Sequence, residues 1–401
     1  MSGEERGACL STPEELRSSV HTRNLHVLTL TPFYPSTENP SEGCFIAEIL
    51  PLTQQLGIEN EVIAARPFYR RLANIPNPDI PGEWKQFFSV PGNLGLPLAG
   101  AFLARSLITA IRDAHHARAF DLIHAHTALP CGEAAARLSK ALRIPFVVSV
   151  HGLDVFSERQ AGRPLGGWCR RVSERVYCQA RAVICISEKV RERITIASVN
   201  STVIHNGVDA SMFSPGKEQE SPLVILSVGN LIPTKGHALL LQAFAQTLPF
   251  VPDCELEIIG EGPERRALTC LSEELGINSR VRFLGGQSRE DVARAMQRCA
   301  VFALPSEYEG LGCVYLEAMA SAKPAIGCEG QGIDEIIEHG TNGWLVPPGA
   351  EAQLSDALRM LLQNQDFRLR LGNAARSTVL QRHTLKHQAE QLAEVYRGSV
   401  L

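Results

Sequence analysis

Short runs of β-branched and apolar residues alternate with helical stretches along almost the whole 401-residue chain, and that alternation leaves few folds open. "NLHVLTLT", "NEVIAA", "DLIHAH", "PFVVSVHG", "AVICIS" and "STVIHNG" read as strands in the first half. "LVILSVGN", "LEIIGEG", "VRFLGG", "VFALPS" and "PAIGCEG" do so in the second. Between them, "GEAAARLSKALR", "ALLLQAFAQTL" and "REDVARAMQRCA" carry apolar residues at helical spacing. Strands joined by helical crossovers pair in parallel, and a parallel sheet needs helices on both faces. Two such series, in a chain longer than single cores support, predict two doubly wound α/β domains.

The segment "SMFSPGKEQESPLV" is the predicted boundary, because Pro215, Gly216 and Pro222 frame a polar linker before a new strand. The expected layout is a polar tail over 1–23 and a first domain over 24–215. A second domain follows over 216–385, and a last helix over 386–401 returns toward the first domain. The tail has no apolar segment of the signal-peptide kind. "LGLPLAGAFLARSLITAI", Leu94 to Ile111, is the most apolar long window, but Pro97 interrupts it and Arg105 sits inside it, so it reads as a buried helix rather than a bilayer span. Ligands of open parallel sheets bind beyond the carboxyl ends of the strands, so two facing domains imply a cleft.

Eleven cysteines without a C-x-x-C pair read as reduced packing residues of a cytoplasmic protein. The net charge of −4 is unevenly spread: 19 Lys+Arg against 16 Asp+Glu over 24–215, and 17 against 23 over 216–401. Part of the first excess is "RQAGRPLGGWCRRVSERVY", with Arg159, Arg163, Arg170, Arg171 and Arg175. Such a run is usually a solvated helix face, and it is also suited to a phosphate-bearing acceptor or to anionic lipid headgroups at the inner face of a membrane. Nothing in charge or aromatic patterning supports nucleic-acid binding.

One window carries the most chemistry. In "PSEYEGLGCVYLEAM", Gly310 and Gly312 make a turn that feeds a helix, with Glu309 on the loop and Glu317 eight positions on. The amides of a first helical turn lack intrahelical partners and favour an anion such as a diphosphate. A carboxylate accepts from two hydroxyls at once, as on a ribose or a sugar. Alone, the window reads equally well as a solvated loop acid and a helix-starting acid. "SVHGLD" places His151, Gly152 and Asp154 at another strand end; "SVGNLIPTKGHALLL" places Gly229 at a strand end and Lys235 with Gly236 at a helix start. "IIGEGPERRAL" and "CEGQGIDEII" add two glycine-rich turns, and no D-x-D occurs, so no divalent metal is called for.

In this order and spacing these segments resemble glycosyltransferase family 4, from "LTLTPFYPSTENPSEGCFIAE" through "VICISEKVRERI" and "VIHNGVDASMF" to "NGWLVPPG". The resemblance implies the two-domain GT-B fold and retaining transfer from a nucleotide-sugar donor, with no cofactor and no metal. It implies that Glu309 contacts the transferred sugar and Glu317 the nucleotide ribose. Lys235, Gly229, Asn230 and the amides of Leu311, Gly312, Cys313 and Val314 would face the donor diphosphate. His151 would lie beside the reacting centre, with Gly43 and Asp154 on the acceptor side. A uridine diphosphate sugar is the favoured donor, and the acceptor is a glycan, polysaccharide precursor or lipid-linked glycan, with peripheral contact to an anionic membrane.

Two positions depart from the family pattern. Asn230 stands where an arginine usually meets the diphosphate, and Glu42-Gly43 stands where two glycines are usual. The competing readings are a degenerate nucleotide-sugar-binding scaffold and a GT-B sugar-nucleotide epimerase. A dehydrogenase is disfavoured, since "GEGPER" lacks the third glycine of the dinucleotide fingerprint and lies mid-chain, and there is no P-loop.

Overall fold

The computed structural model describes residues 24–37, 41–69, 82–152, 162, 165–194, 196, 198–216 and 222–401. Seven strands form the first sheet: β1 Leu25–Thr31, β2 Ile58–Pro67, β3 Glu83–Phe87, β4 Leu122–His126, β5 Phe146–Val150, β6 Ala182–Cys185 and β7 Ser201–Val203. Six form the second: β8 Leu223–Val228, β9 Cys254–Ile259, β10 Val281–Gly285, β11 Val301–Ala303, β12 Ala325–Cys328 and β13 Trp344–Val346. Their orders are β3-β2-β1-β4-β5-β6-β7 and β10-β9-β8-β11-β12-β13. Every pairing is parallel.

The two sheets therefore share one logic. In each, the order reverses beside the first strand, between β1 and β4 and between β8 and β11, which opens a crevice at the carboxyl edge. All residues of β1, β4 and β5 are buried, as expected of strands covered on both faces. Two strands were not expected from the sequence. β3 is an edge strand, "EWKQF", whose polar outer residues hide any apolar pattern, and β13 is only three residues long.

The window around Pro97 is a helix, Leu96–Ala117, and Pro97 lies in its first turn rather than breaking it. The first-turn amides have no intrahelical acceptor, so a proline costs nothing there. Ala99, Gly100, Leu103, Ala104, Leu107 and Ile111 face inward. Among the described residues no helix is long and apolar enough to cross a membrane.

The chain leaves the second domain through the helix Gln365–Arg382 and ends in the helix Leu385–Ser399, started by a Thr384 cap. That last helix packs on the first domain. Leu392, Ala393 and Tyr396 join Leu25, Val27, Ile58 and Leu122 in one apolar cluster, and Arg397 donates to the carbonyl of Leu56 at 2.6 Å. Leu392→Ala should therefore destabilise the first domain by about 2–4 kcal/mol, although the residue lies 367 positions after Leu25. Denaturant unfolding followed by a probe in that domain checks this.

Candidate active site

The carboxyl edges of the two sheets face each other, and their loops supply the site. From the second domain come Gly229 after β8, Lys235 at the end of the turn Pro233–Lys235, and the loop after β11 that leads into the helix Cys313–Ala320. From the first comes His151, directly after β5. The domains meet closely here. Ser187 donates to the carbonyl of Gly310 at 2.6 Å, and a side chain on Gly310 would come within 2.9 Å of the His151 carbonyl. Glu335 of the second domain accepts from the amides of Glu188 and Lys189 at 2.8 Å each and pairs with His205 at 3.0 Å, all in the first domain.

The expected donor-side residues are brought together. Lys235 and Glu309 form an ion pair with each other, both largely buried. Glu309 is held at its backbone by the turn that follows β12: its N–H donates to the Gln331 side chain at 3.1 Å, and the Gly332 N–H donates to its carbonyl at 3.1 Å. Gly330-Gln331-Gly332 thus buttresses the Glu309 loop, and a Cβ on Gly332 would strike the Gly310 carbonyl at 1.9 Å. Gly312 precedes the helix at φ +79°, a left-handed value that a side chain would strain, and no side chain caps the first-turn amides.

Glu317 is 2% exposed. One of its oxygens, Oε1, accepts from Arg289; the other, Oε2, has no hydrogen-bond partner among the described residues. A buried carboxylate oxygen left open in this way costs free energy unless a ligand's donors reach it. That is the property a ribose-binding group needs.

His151 sits in an aromatic and imidazole enclosure. Phe33 and Phe45 pack at 5.6 and 4.9 Å between ring centroids, and His126 stacks on it with Nδ1 2.9 Å from His151 Nε2. His124 continues the row, 4.2 Å from His126, with its own nitrogens on Tyr396 Oη at 2.6 Å and Ser149 Oγ at 2.7 Å. Burial pushes the His124 and His151 pKa values down to about 3, and burial with the neighbouring imidazoles pushes His126 well below its usual range. All three rings are neutral near pH 7, so His151 presents hydrogen-bonding nitrogens rather than a charge. His124 and His126 are not among the residues expected at the site, because "DLIHAH" reads simply as a strand. The available signal was two histidines two positions apart on a buried strand, which places them on one face.

The remaining positions are mixed. Asn230 is exposed beside Gly229 and brings no charge to the diphosphate side. Gly43 adopts φ +72° where a Cβ would lie 2.6 Å from the Phe33 carbonyl. The carboxylate of Glu42 is paired with Arg66 at 2.6 Å, and that guanidinium in turn covers the Trp84 ring, so the acid in this loop is neutralised. Asp154, Arg159 and Arg163 lie outside the described residues. Among the described residues, no group of three His, Cys, Asp or Glu is placed to hold a metal ion.

The imidazole row makes a pH prediction. The unfolded chain takes up protons at these sites below about pH 6.5, whereas the folded chain holds His124 and His151 neutral to about pH 3. The unfolded state binds more protons in that window, so stability falls as pH drops through it. The melting temperature should decline by several degrees between pH 7 and 5, and His124→Gln should make the decline shallower.

Comparison with known proteins identifies the family. The family model "Glycosyltransferase Family 4" matches residues 45–212, and "Glycosyl transferases group 1" matches residues 209–378. The chain is 30% identical over 332 residues to the D-inositol 3-phosphate glycosyltransferase of Corynebacterium urealyticum, covering 76% of this chain and 77% of that one. It is 27% identical over 356 residues to the alpha-D-kanosaminyltransferase of Streptomyces kanamyceticus, covering 82% and 88%. Among solved structures, Anabaena HepE in complex with UDP and glucose superposes with a TM-score of 0.72 at 23% identity, over 92% of this chain and 99% of that one, which establishes a common GT-B fold. With both domains matched and a 30% identical relative covered over three quarters of its length, the chain belongs to glycosyltransferase family 4 and is a glycosyltransferase that uses a nucleotide sugar.

Proposed function

We propose that the chain is a retaining, metal-independent hexosyltransferase that moves a sugar from a UDP-sugar to a glycan or lipid-linked acceptor. The observation that carries this reading is the pairing of Lys235 with Glu309 at the mouth of the helix Cys313–Ala320, one turn from the half-open carboxylate of Glu317. A diphosphate entering there takes over the Lys235 ammonium and the first-turn amides, and Glu309 is released toward the sugar hydroxyls. Glu317 Oε2 takes the ribose hydroxyls. Uridine is favoured because HepE, of the same fold, is bound to UDP and glucose.

Transfer then proceeds on one face of the sugar. The bond from C1 to the diphosphate oxygen breaks, the acceptor oxygen bonds to C1 on the side the diphosphate leaves, and the acceptor proton passes to the departing phosphate oxygen. Lys235 and the amides stabilise the charge that develops on the leaving group without a metal. Neutral His151, held by His126, offers a hydrogen bond near the reacting centre. With Asn230 supplying no cation, Lys235 carries more of this stabilisation than an arginine-assisted lysine would.

On the acceptor side, an exposed apolar cluster supports delivery from a membrane surface. Phe68 and Phe88 stack at 5.6 Å, Phe88 meets Phe102 at 5.1 Å, and Tyr69 and Leu98 are exposed nearby on the same domain. Phe68 and Phe88 follow the carboxyl ends of β2 and β3, on the cleft side, and Arg105 is exposed one turn beyond Phe102. Aromatic rings beside cationic side chains suit the headgroup region of an anionic cytoplasmic leaflet.

UDP should raise the melting temperature of the native protein, GDP and ADP should do so less, and Glu317→Ala should abolish the UDP shift. A chelator should leave transfer unchanged, and the product should keep the donor's anomeric configuration by NMR. Release of an epimerised nucleotide sugar without acceptor would favour the epimerase reading instead; no shift with any nucleotide would favour a scaffold. The native protein should sediment with vesicles containing anionic lipid, and Phe68→Ser with Phe88→Ser should remain in the supernatant.

A further inference from the structure

We propose that Arg289 is a positioning residue that makes donor affinity depend on contact with the acceptor-side domain, through the bridge Glu48–Arg289–Glu317. The proposal rests on Glu317 being the ribose carboxylate. Arg289 is the first residue of the helix Arg289–Arg298 in the second domain. Its Nε and Nη2 donate to the two oxygens of Glu48 at 3.0 and 3.3 Å, and its Nη1 donates to Glu317 Oε1. Glu48 belongs to the first domain, at the end of the short helix that follows Gly43. The guanidinium also lies 4.8 Å over the ring of Phe213, in the segment that joins the domains.

One cation thus bridges two carboxylates from opposite sides of the cleft. The side chains of Arg289, Glu48 and Glu317 are 15%, 24% and 3% exposed, so little water is present to screen either acid. Burial, with the charge of Glu317, holds the Glu48 carboxyl above its usual range, and Arg289 counters only part of that. Removing the cation leaves two buried like charges facing each other, which is strongly unfavourable.

The bridge has a direction. Two parallel N–H donors to Glu48 and the face of Phe213 fix the plane of the guanidinium, and a planar fork with a fixed plane leaves only one place for its third donor. That place is Glu317 Oε1, so Oε2 is turned to the position from which it can meet the ribose. When the domains part, Glu48 leaves with the first domain. Arg289 then keeps one partner and loses the contact that oriented it. Glu48 therefore acts on a nucleotide it does not touch, and donor binding in turn favours the apposed domains by reciprocal coupling.

The experiment measures UDP dissociation constants by calorimetry, with donor KM and kcat, on the full chain and on Glu48→Ala, Glu48→Gln, Arg289→Ala, Arg289→Lys, Glu48→Ala with Arg289→Ala, and Glu317→Ala. Glu48→Ala should weaken UDP binding about tenfold and raise donor KM in parallel, with kcat at saturating donor within about twofold of native, a size typical of coupling between sites. Glu48→Gln, which keeps an acceptor at the same place, should fall between. Arg289→Lys should recover part of what Arg289→Ala loses, and the double variant should be no worse than Arg289→Ala, as for residues acting in one network. Native UDP affinity in both Glu48 variants, or additive losses in the double variant, overturns the bridge while leaving the ribose role of Glu317 standing. Native UDP affinity in Glu317→Ala overturns both.

Discussion

Parallel strand pairing is the constraint on which the rest depends. Because every strand in a sheet runs the same way, every carboxyl end arrives at one edge, and every loop that follows a strand is delivered there with it. Lys235, Glu309 and the start of the helix Cys313–Ala320 share the edge of the second sheet for that reason, and His151 and Gly43 share the edge of the first. No residue of the site had to be brought from a sheet's other end. The site is therefore a property of topology first and of side chains second.

The placement of charge within the cleft follows from burial. The first domain contributes a row of histidines that desolvation keeps neutral, so it presents hydrogen-bonding groups without adding to the field around a diphosphate. The second contributes Lys235 and helix amides, which favour an anion. The acids around the cleft are held by cations: Glu309 pairs with Lys235, Glu42 with Arg66, and Glu317 shares Arg289 with Glu48.

How much was legible in the sequence depended on how local the signal was. The strands with continuous apolar runs, the glycine turns and the spacing of Glu309 and Glu317 are written within a few residues, and the resemblance carried the rest of the donor side. β3 escaped because an edge strand with "EWKQF" has no clean alternation, and β13 because three residues carry no period. Pro97 reads as an interruption in the sequence, yet its effect depends on whether it falls in the first turn, as here, or a later one. Contacts between distant segments left no local trace. Glu48 and Arg289 are 241 positions apart, and Glu42 and Arg66 are 24 apart on different elements. Only the fold brings them together.

The final helix carries a consequence for synthesis. Leu392, Ala393 and Tyr396 complete an apolar cluster whose other members include Leu25, Val27, Ile58 and Leu122, near the beginning of the described chain. The domain that leaves the ribosome first thus lacks part of its own interior until the helix Leu385–Ser399 has emerged. At a translation rate of about 5–20 residues per second, the second domain has time to form while the first waits, exposing strand β1's flank and the surface that the last helix covers. The order of completion is the reverse of the order of emergence, and a chaperone that shields the young chain would find its natural footprint on that uncovered face.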